Sequence, residues 1–445
     1  MEPSRRLGIA RQGASVLVTS FIILVLNTAT GTILARVLGP TGRGEWAAVL
    51  LWPTLIAAVG SLGVSEAVIY LTASMRGRER VVLGSALLTV LIQSTILSAA
   101  WFVASSFVLK HYGPETVHLA QYMVWTIPLA LVSMVLSGAL LGSLDIRAYN
   151  RVRLGGTALM TLGLVMLLGL RQTSLTAIVV VHLTVSVMVV SYSVILLSRI
   201  GGLGCRPDLK VAGQLLSYGI RSHVGTVSNV ANERADQALI SVALPAAYLG
   251  LYSVAVTLPG AVSSIGGSLA AIALPGVAST SAEPDKRLRL AQLVRATLFL
   301  SVLAAGALLP LAAPIIELFF GRAFLPAAPV AQVLLFASIL FGVNRVISAG
   351  VRAFNRPFSA GAGDTLAAGV TVVSLALLVP TIGIMGAAVA SLLAYSANLG
   401  YNLWICTRLG MSVRELLVPT STDVSWLRRN LRRFSGAVWA TLINR

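Results

Sequence analysis

The stretch GEWAAVLLWPTLIAAVG, residues 44–60, recurs as GLYSVAVTLPGAVSSIG, residues 250–266. Four positions carry the match, at a constant shift of 206 residues (250 − 44): Gly44, Trp46, Pro53 and Gly60 align with Gly250, Tyr252, Pro259 and Gly266. Both copies lie within long apolar runs. The match predicts a chain made of two homologous halves.

A second repeated segment supports this interpretation. RAYNR, residues 147–151, recurs as RAFNR, residues 352–356, at a shift of 205 (352 − 147). One inserted residue between the two repeated segments would reconcile the two shifts. Internal repeats of this kind are characteristic of transporters, whose substrate path lies between the repeats.

Composition excludes an ordinary soluble protein. The 445 residues are 56% hydrophobic and 11% charged, with a mean hydropathy of +0.87. Soluble domains carry about 25% charged residues. The chain is therefore expected to cross a membrane several times.

Apolar runs of about 20 residues with charges confined to the gaps predict twelve membrane spans. Their predicted bounds are 13–35, 46–71, 81–109, 119–141, 154–170, 174–197, 211–244, 248–278, 290–309, 327–350, 358–379 and 382–406. Because six is even, both halves enter the bilayer from the same side. We predict an all-α polytopic membrane protein with two parallel six-helix repeats around a central cavity: an N-terminal lobe (1–205), a C-terminal lobe (206–406) and a tail (407–445).

Lys and Arg predict the orientation, because they accumulate in cytoplasmic loops. Of the 33 basic residues, 24 fall on the side of the N-terminus, five on the opposite side and four within spans. Both termini are thus predicted to be cytoplasmic. The net charge of +18 then reflects basic residues concentrated on the cytoplasmic face, where they would attract anionic membrane lipids. It does not indicate nucleic-acid binding.

The tail is predicted to form a basic amphipathic helix in the cytoplasmic interface. Leu427, Leu431, Phe434, Val438 and Leu442 share one face of a helical wheel, and the opposite face is rich in Arg. The alternative is a disordered basic tail. Cys205 and Cys406 both fall at the predicted cytoplasmic face and imply neither a disulfide nor a metal site, and no cofactor is expected.

Polar groups inside spans are costly and usually functional. The seventh span is the densest in them: Ser222, Thr226, Asn229, Glu233 and Asp236 form a stripe about 60° wide on a helical wheel. This stripe is predicted to line a water-filled cavity, with Arg221 and Arg234 on its flanks. The alternative is a helix buried against others, with charges compensated as between Glu233 and Arg234.

The repeat sharpens this prediction. The shift of 206 places Asn27 opposite Glu233 and Thr30 opposite Asp236, so any cation handling is predicted in the second half. Arg295 and Arg345 lie near predicted cytoplasmic span ends, where snorkelling to the headgroups explains them as well as function does. Glu66 and Asp364 are also near cytoplasmic ends.

The chain resembles a known family at two places. ILARVLGPTGRGEWAAV, residues 33–49, is similar to the N-terminal signature of the bacterial polysaccharide (O-antigen and capsule) flippases of the multidrug/oligosaccharidyl-lipid/polysaccharide (MOP) exporter superfamily. The stretch from Tyr218 and Gly219 through Asp236 to LGLYSVAV, residues 249–256, resembles the opening of that family's second half.

The resemblance implies a transporter of the bacterial plasma membrane, not an enzyme. Its members move undecaprenyl-diphosphate-linked oligosaccharides from the inner to the outer leaflet through a central cationic cavity. An anionic diphosphate suits Arg, which binds it bidentately. The roles that the resemblance implies are headgroup binding by Arg221, Arg234, Arg295 and Arg345, and coupling to a monovalent cation (H⁺ or Na⁺) by Glu233 and Asp236. The polar stripe and the repeat themselves predict cavity lining by Asn27, Ser222, Thr226 and Asn229.

Two alternatives belong to other functional classes. A multidrug/cation antiporter of the same superfamily would share the architecture, but such proteins generally rely on acids in the first half, where this chain has Asn27 and Thr30. A membrane glycan polymerase or ligase would need a catalytic constellation at one face. The chain has four His residues and no HExxH or paired-acid motif.

Overall fold

The computed structural model describes residues 3–75, 77–199, 206–280 and 282–418, with the side chains of 3–14, 16–17, 224–226, 228–229, 231, 275 and 357 left out. Every regular element in these ranges is an α-helix or a short 3-10 turn, and nine of the helices there are long and apolar enough to cross a membrane. The prediction of an all-α polytopic membrane protein is confirmed. The predicted tail helix and Cys205 lie outside the described residues.

The described residues form two compact units that meet in sequence at Val230 and Ala231. This division falls inside a helix, so the first part of that helix packs with unit 1 and its second part with unit 2. The lobe boundary predicted at residue 205 lies at the end of the undescribed segment 200–205.

Unit 1 begins with a long helix that bends sharply. Its helices are α1 (Pro3–Gly60), α2 (Val64–Ser74), α3 (Glu79–Val108), α4 (Pro114–Tyr122), α5 (Thr126–Gly142), α6 (Ile146–Gly169), α7 (Leu175–Arg199) and the first part of α8 (Leu209–Ala243). α1 is kinked at Gly39, whose φ of 64° suits glycine. Pro40 follows, at the first position of a new helical segment, where its missing N–H costs nothing.

The first part of α8 is held against α1 and α2 by three contacts. They are a hydrogen bond of 2.7 Å between Nε2 of His223 and the carbonyl of Val59, a backbone contact between Gly219 and Gly63, and a stacked ring pair, Tyr218 on Tyr70, at 4.5 Å. Because a carbonyl only accepts, His223 donates through Nε2. These contacts place the first part of α8, as far as His223, against the helices of unit 1.

Unit 2 contains the second part of α8 and six further helices. They are α9 (Ala246–Ala255), α10 (Thr257–Ala278), α11 (Glu283–Phe320), α12 (Ala328–Ala353), α13 (Pro357–Arg408) and α14 (Val413–Leu417). α13 is kinked at Ile382 and Gly383, the latter with a φ of 60°. The core lies among α10, α11 and α12 and extends to the end of α13 and to α14.

The twelve predicted spans all map to these helices. α1 and α13 each cover two predicted spans across a kink, and the predicted eighth span is divided into α9 and α10. The second predicted span is interrupted at Leu62 and Gly63, which both have positive φ. α8 is helical over its whole length, although it is not one of the nine apolar helices.

The helix bounds correct the register of the repeat. The kink at Gly39 and the break at Pro245 keep the shift of 206. From α5 and α6 to α12 and α13 the shift has grown to 211, both for the helix ends (353 − 142) and for the next helix starts (357 − 146). RAYNR therefore lies in the first turns of α6, whereas RAFNR ends α12. The prediction of a single inserted residue is wrong.

The crossing of α10 and α12 is the tightest helix contact near the site. A methyl group added to Gly266 would lie 2.2 Å from the Cα of Gly342. The two backbones therefore touch, which only glycine permits. One residue further along α10, Gly267 faces the guanidinium of Arg345.

An open cavity of about 610 Å³ lies within unit 2 at three helix breaks. Pro245 follows α8, Pro326 precedes α12 and Gly383 kinks α13 at its edge. Tyr248 of α9 also lines it. The lining residues carry no charge, so this cavity is chemically distinct from the polar cluster in the same unit.

Candidate functional site

The centre of the polar cluster is Asp236 on α8. Its side chain is buried, with 8% exposed. The hydroxyl of Tyr252, a fully buried residue of α9, donates to Oδ2 of Asp236 at 2.5 Å, and the backbone N–H of Gln237 donates to Oδ1 at 2.7 Å. The break at Pro245 ends α8 and begins α9, which lets Tyr252 approach Asp236.

A second group of hydrogen bonds joins α8 to α13. The amide of Asn232 donates to the backbone carbonyl of Asp364 at 3.2 Å, and the hydroxyl of Tyr395 donates to the carbonyl of Asn232 at 3.0 Å. Asn344 of α12 donates to the carbonyl of Tyr395 at 2.9 Å. Hydrogen bonds between these polar groups thus connect α8, α12 and α13.

Three buried asparagines and one acid continue this network. Asn402 donates to Oδ1 of Asn344 at 3.2 Å and to Oδ1 of Asn398 at 2.9 Å. Asn398 in turn donates to Oδ1 of Asp364 at 3.3 Å. Asn398 and Asn402 are one turn apart on α13, so they share a face.

The network contains more acceptor capacity than the described donors use. Oδ1 of Asn232 and Oδ1 of Asn402 are buried without a hydrogen-bond donor. Asp236 and Asp364 add carboxylate oxygens that receive bonds from neutral groups. Carboxylate, amide and carbonyl oxygens are the ligands that hard cations prefer, so this arrangement is suited to a proton or a small monovalent cation.

The second feature of the site is an ion pair at the edge of the network. Nη1 of Arg345 lies 4.0 Å from Oε1 of Glu233, and their side chains are 47% and 50% exposed. The distance exceeds that of a hydrogen bond. Each charge therefore remains accessible to a third group.

The position of Arg345 is set by apolar contacts. Its guanidinium lies 5.5 Å from the ring centre of Phe341, and that ring packs on Tyr395 at 4.9 Å. Gly267 leaves space for the guanidinium on the α10 side, where an added methyl would lie 3.6 Å from Nη1. The cation–π contact positions the guanidinium, and Gly267 leaves space for it. Neither neutralises its charge.

The structure assigns two predicted arginines to local contacts. Arg295 is 4% exposed and donates to the backbone carbonyl of Glu415, so it holds α14 onto α11. Arg234 is exposed and donates to Oε1 of Gln237 at 3.2 Å on the same helix. Arg345 forms an ion pair with a predicted coupling residue, Glu233, and Arg234 acts electrostatically on the other, Asp236.

The remaining predicted residues lie in unit 1. Arg221 and Ser222 are exposed on α8, and the hydroxyl of Ser222 donates back to the carbonyl of Gly219 at 2.9 Å. Asn27 is exposed on α1, and Thr30 pairs with Thr161 at 2.9 Å. The side chains of Thr226 and Asn229 lie outside the described residues.

Several site residues do not stand out in the sequence. All but Asp364 are neutral: Tyr252, Tyr395, Asn232, Asn344, Asn398 and Asn402. Asp364 is predicted from sequence only as a residue near a span end. The spacing of Asn398 and Asn402 is the available signal, since two amides one turn apart inside an apolar run indicate a shared polar partner.

Comparison of the sequence with known proteins gives two matches. A family model described as "Polysaccharide biosynthesis protein" matches residues 33–329. The chain is also 24% identical, over 205 residues, to the probable low-salt glycan biosynthesis flippase Agl15 of Haloferax volcanii. That alignment covers 45% of this chain and 43% of the Haloferax protein.

Comparison of the structure with solved structures identifies the fold. The lipid II flippase MurJ in an inward closed conformation matches with a TM-score of 0.74 and 14% identity, over 96% of this chain and 99% of that one. An inward-facing multidrug resistance MATE family transporter of the MOP superfamily matches with a TM-score of 0.68 and 13% identity, over 89% and 98%. The fold is therefore that of MOP superfamily transporters, as the sequence resemblance implied.

Proposed function

The chain belongs to the polysaccharide biosynthesis protein family, and on this premise we propose that it is a flippase for a lipid-linked oligosaccharide. Its substrate is an undecaprenyl-diphosphate-linked repeat unit, moved from the inner to the outer leaflet by alternating access and coupled to a monovalent cation. The Haloferax relative, whose name describes a glycan biosynthesis flippase, supports the substrate class.

The observation that carries the proposal is the half-exposed Arg345 beside a buried acidic network in the same unit. A lipid diphosphate is anionic and has several oxygens, and a guanidinium can donate two parallel hydrogen bonds to it. We assign headgroup binding to Arg345, with Arg221 and Arg234 as further exposed cations on α8. Arg295 is assigned to the packing of α14.

Cation coupling is assigned to Asp236 and Glu233. Asp236 is buried among neutral donors, and the unpaired oxygens of Asn232 and Asn402 lie in the same network. A cation bound by these groups changes the balance between transport states only to the extent that its affinity differs between them. This role requires an acid whose surroundings change during the transport cycle, and Asp236 joins two helices, α8 and α9.

The setting of the proposal is a bacterial plasma membrane with both termini in the cytoplasm. The asymmetry of Lys and Arg between the two predicted faces supports this orientation. The basic face would also attract anionic lipid headgroups, at about 1 kcal/mol per Lys or Arg near the surface.

Transport by the purified full-length protein in vesicles tests the function. The vesicles contain a polyprenyl-diphosphate disaccharide with a fluorescent sugar, and an impermeant glycosidase reports the amount in the accessible leaflet. We expect protein-dependent redistribution that a monovalent cation gradient accelerates. Redistribution no faster than in empty vesicles, together with gradient-driven export of ethidium, would favour the multidrug antiporter instead.

A further inference from the structure

We propose that Glu233 and the substrate diphosphate compete for Arg345, so that binding of the substrate frees Glu233 to bind the coupling cation. This inference rests on the proposed function and adds the point at which its two ligands meet. The residues predicted separately for headgroup binding and for cation coupling are in contact, at 4.0 Å between Nη1 and Oε1.

The geometry of the pair is that of a replaceable partner. Both side chains are about half exposed, and at 4.0 Å no direct hydrogen bond joins them. Exposed ion pairs contribute little because water screens them and both side chains keep their mobility. A carboxylate in this position satisfies the charge of Arg345 only weakly.

The two residues differ in how firmly they are held. Arg345 packs on Phe341, which packs on Tyr395, and Tyr395 is tied to α8 by its hydrogen bond to Asn232. Glu233 has no comparable support among the described contacts, apart from the ion pair itself. When a stronger anion arrives, Glu233 is therefore the group that moves.

A diphosphate is that stronger anion. It carries more negative charge than a carboxylate and offers oxygens for bidentate bonding to the guanidinium. The carboxylate it displaces is then left near Asp236, one turn away on α8, and within electrostatic range of the hydroxyl of Tyr395. Asp364 of α13 acts on Arg345 rather than on Glu233. Arg234 is the neighbouring cation on α8 itself, and it is bonded to Gln237.

An unpaired carboxylate among other acids gains from binding a cation or a proton. Conversely, a cation already bound to Glu233 releases Arg345 for the diphosphate. Each ligand therefore raises the affinity for the other, and thermodynamic linkage requires the two effects to be equal. Coupling of this kind needs no signal over a distance, since both ligands act on one ion pair.

Binding of farnesyl diphosphate to the detergent-solubilised full-length protein tests the proposal. Titrations are run in NaCl and in choline chloride at one pH and equal ionic strength, and in choline chloride at two pH values, which separates Na⁺ from protons. For the parent we expect at least fivefold tighter binding in NaCl, or at the lower pH. Glu233→Gln should bind at least fivefold tighter than the parent in choline chloride at the higher pH, and its binding should depend less on Na⁺ and pH than that of the parent, because Asp236 remains.

Glu317→Gln is the matched control, because it removes one acid of the same unit that is paired with Arg322 outside the cluster. It should behave like the parent. If the parent binds the probe and Glu233→Gln retains both the parental affinity and its ion dependence, the competition is wrong while the flippase proposal stands. If the parent fails to bind farnesyl diphosphate under all conditions, diphosphate recognition is wrong and the competition falls with it.

Discussion

The hydroxyl of Tyr252 donates a hydrogen bond of 2.5 Å to the carboxylate of Asp236, and both side chains are buried inside unit 2. The donor comes from α9 and the acceptor from α8, so the bond joins two helices across the break at Pro245. A carboxylate buried in this way depends on its donors, because an unsatisfied buried charge is costly.

Tyr252→Phe should therefore destabilise the protein. The change removes one donor to a buried carboxylate and keeps the ring, at a cost of about 1.5–3 kcal/mol. Thermal unfolding in detergent measures the effect. Tyr248→Phe, one turn earlier on the same helix and at the edge of the open cavity, is the control. Equal midpoints for the two variants would show that the Tyr252 hydroxyl contributes nothing.

Asp236→Asn should separate binding from coupling. The amide keeps the size of the side chain and can still accept from Tyr252, but it carries no charge to balance a cation. We expect the variant to bind the lipid-linked substrate while its flipping in vesicles no longer responds to the ion gradient, with a smaller effect for Glu233→Gln. Flipping by Asp236→Asn at the parental, gradient-dependent rate would leave Asp236 with a structural role alone.

Two arginines predicted to act together should differ when replaced. Arg345→Ala removes an exposed cation and should weaken diphosphate binding about 10- to 150-fold, the equivalent of about 1.5–3 kcal/mol, with little change in stability. Arg295→Ala removes a buried donor to the carbonyl of Glu415 and should lower the unfolding midpoint while leaving binding unchanged. Weaker binding for Arg295→Ala with a lower midpoint for Arg345→Ala would contradict both roles.

Gly266→Ala should disrupt the crossing of α10 and α12. The added methyl would lie 2.2 Å from Gly342, so the helices must separate, and overpacking of this kind costs about 1–3 kcal/mol. Gly260→Ala on the same helix is the control, because nothing lies within 4 Å of its added methyl. It should be neutral or slightly stabilising, since alanine favours the helix. Thermal unfolding of both variants decides.

The topology gives a prediction that needs no purified protein. Reporters fused at Arg78, Arg151 and Arg287 should be cytoplasmic, and those at Lys110 and Arg322 should be external, because basic residues concentrate on the first face. A reporter on the wrong side at any one of these positions would contradict the twelve-span arrangement.

The fold could be predicted from sequence because each membrane span is a long apolar run. Apolar runs follow directly from the thickness of the bilayer, so both the helical class and the positions of the spans were accessible. The kink at Gly39 falls between two predicted spans, and the kink at Ile382 and Gly383 falls at the start of the twelfth predicted span. The register between α5–α6 and α12–α13 could not be predicted from sequence. RAYNR and RAFNR are similar in sequence, but they occupy different parts of their helices.

The site was predicted only where charge marks it. Glu233 and Asp236 stand out in an apolar span, whereas Tyr252 and Asn402 do not, since neutral polar residues are tolerated there. Their roles depend on which helices pack together, which one sequence does not contain. Arg295 and Arg345 occupy similar positions near predicted span ends in the sequence. The structure separates them, because Arg295 is buried and donates to α14, whereas Arg345 is half exposed.

The contact between Gly266 and Gly342 limits how unit 2 can deform. Most helix interfaces can adapt because side chains change rotamer as the helices slide. Where two backbones touch there are no rotamers to change, so we expect α10 and α12 to move together at this point. We therefore expect the passage of the proposed flippase to open elsewhere than at this crossing, with the guanidinium of Arg345 keeping its orientation to α10.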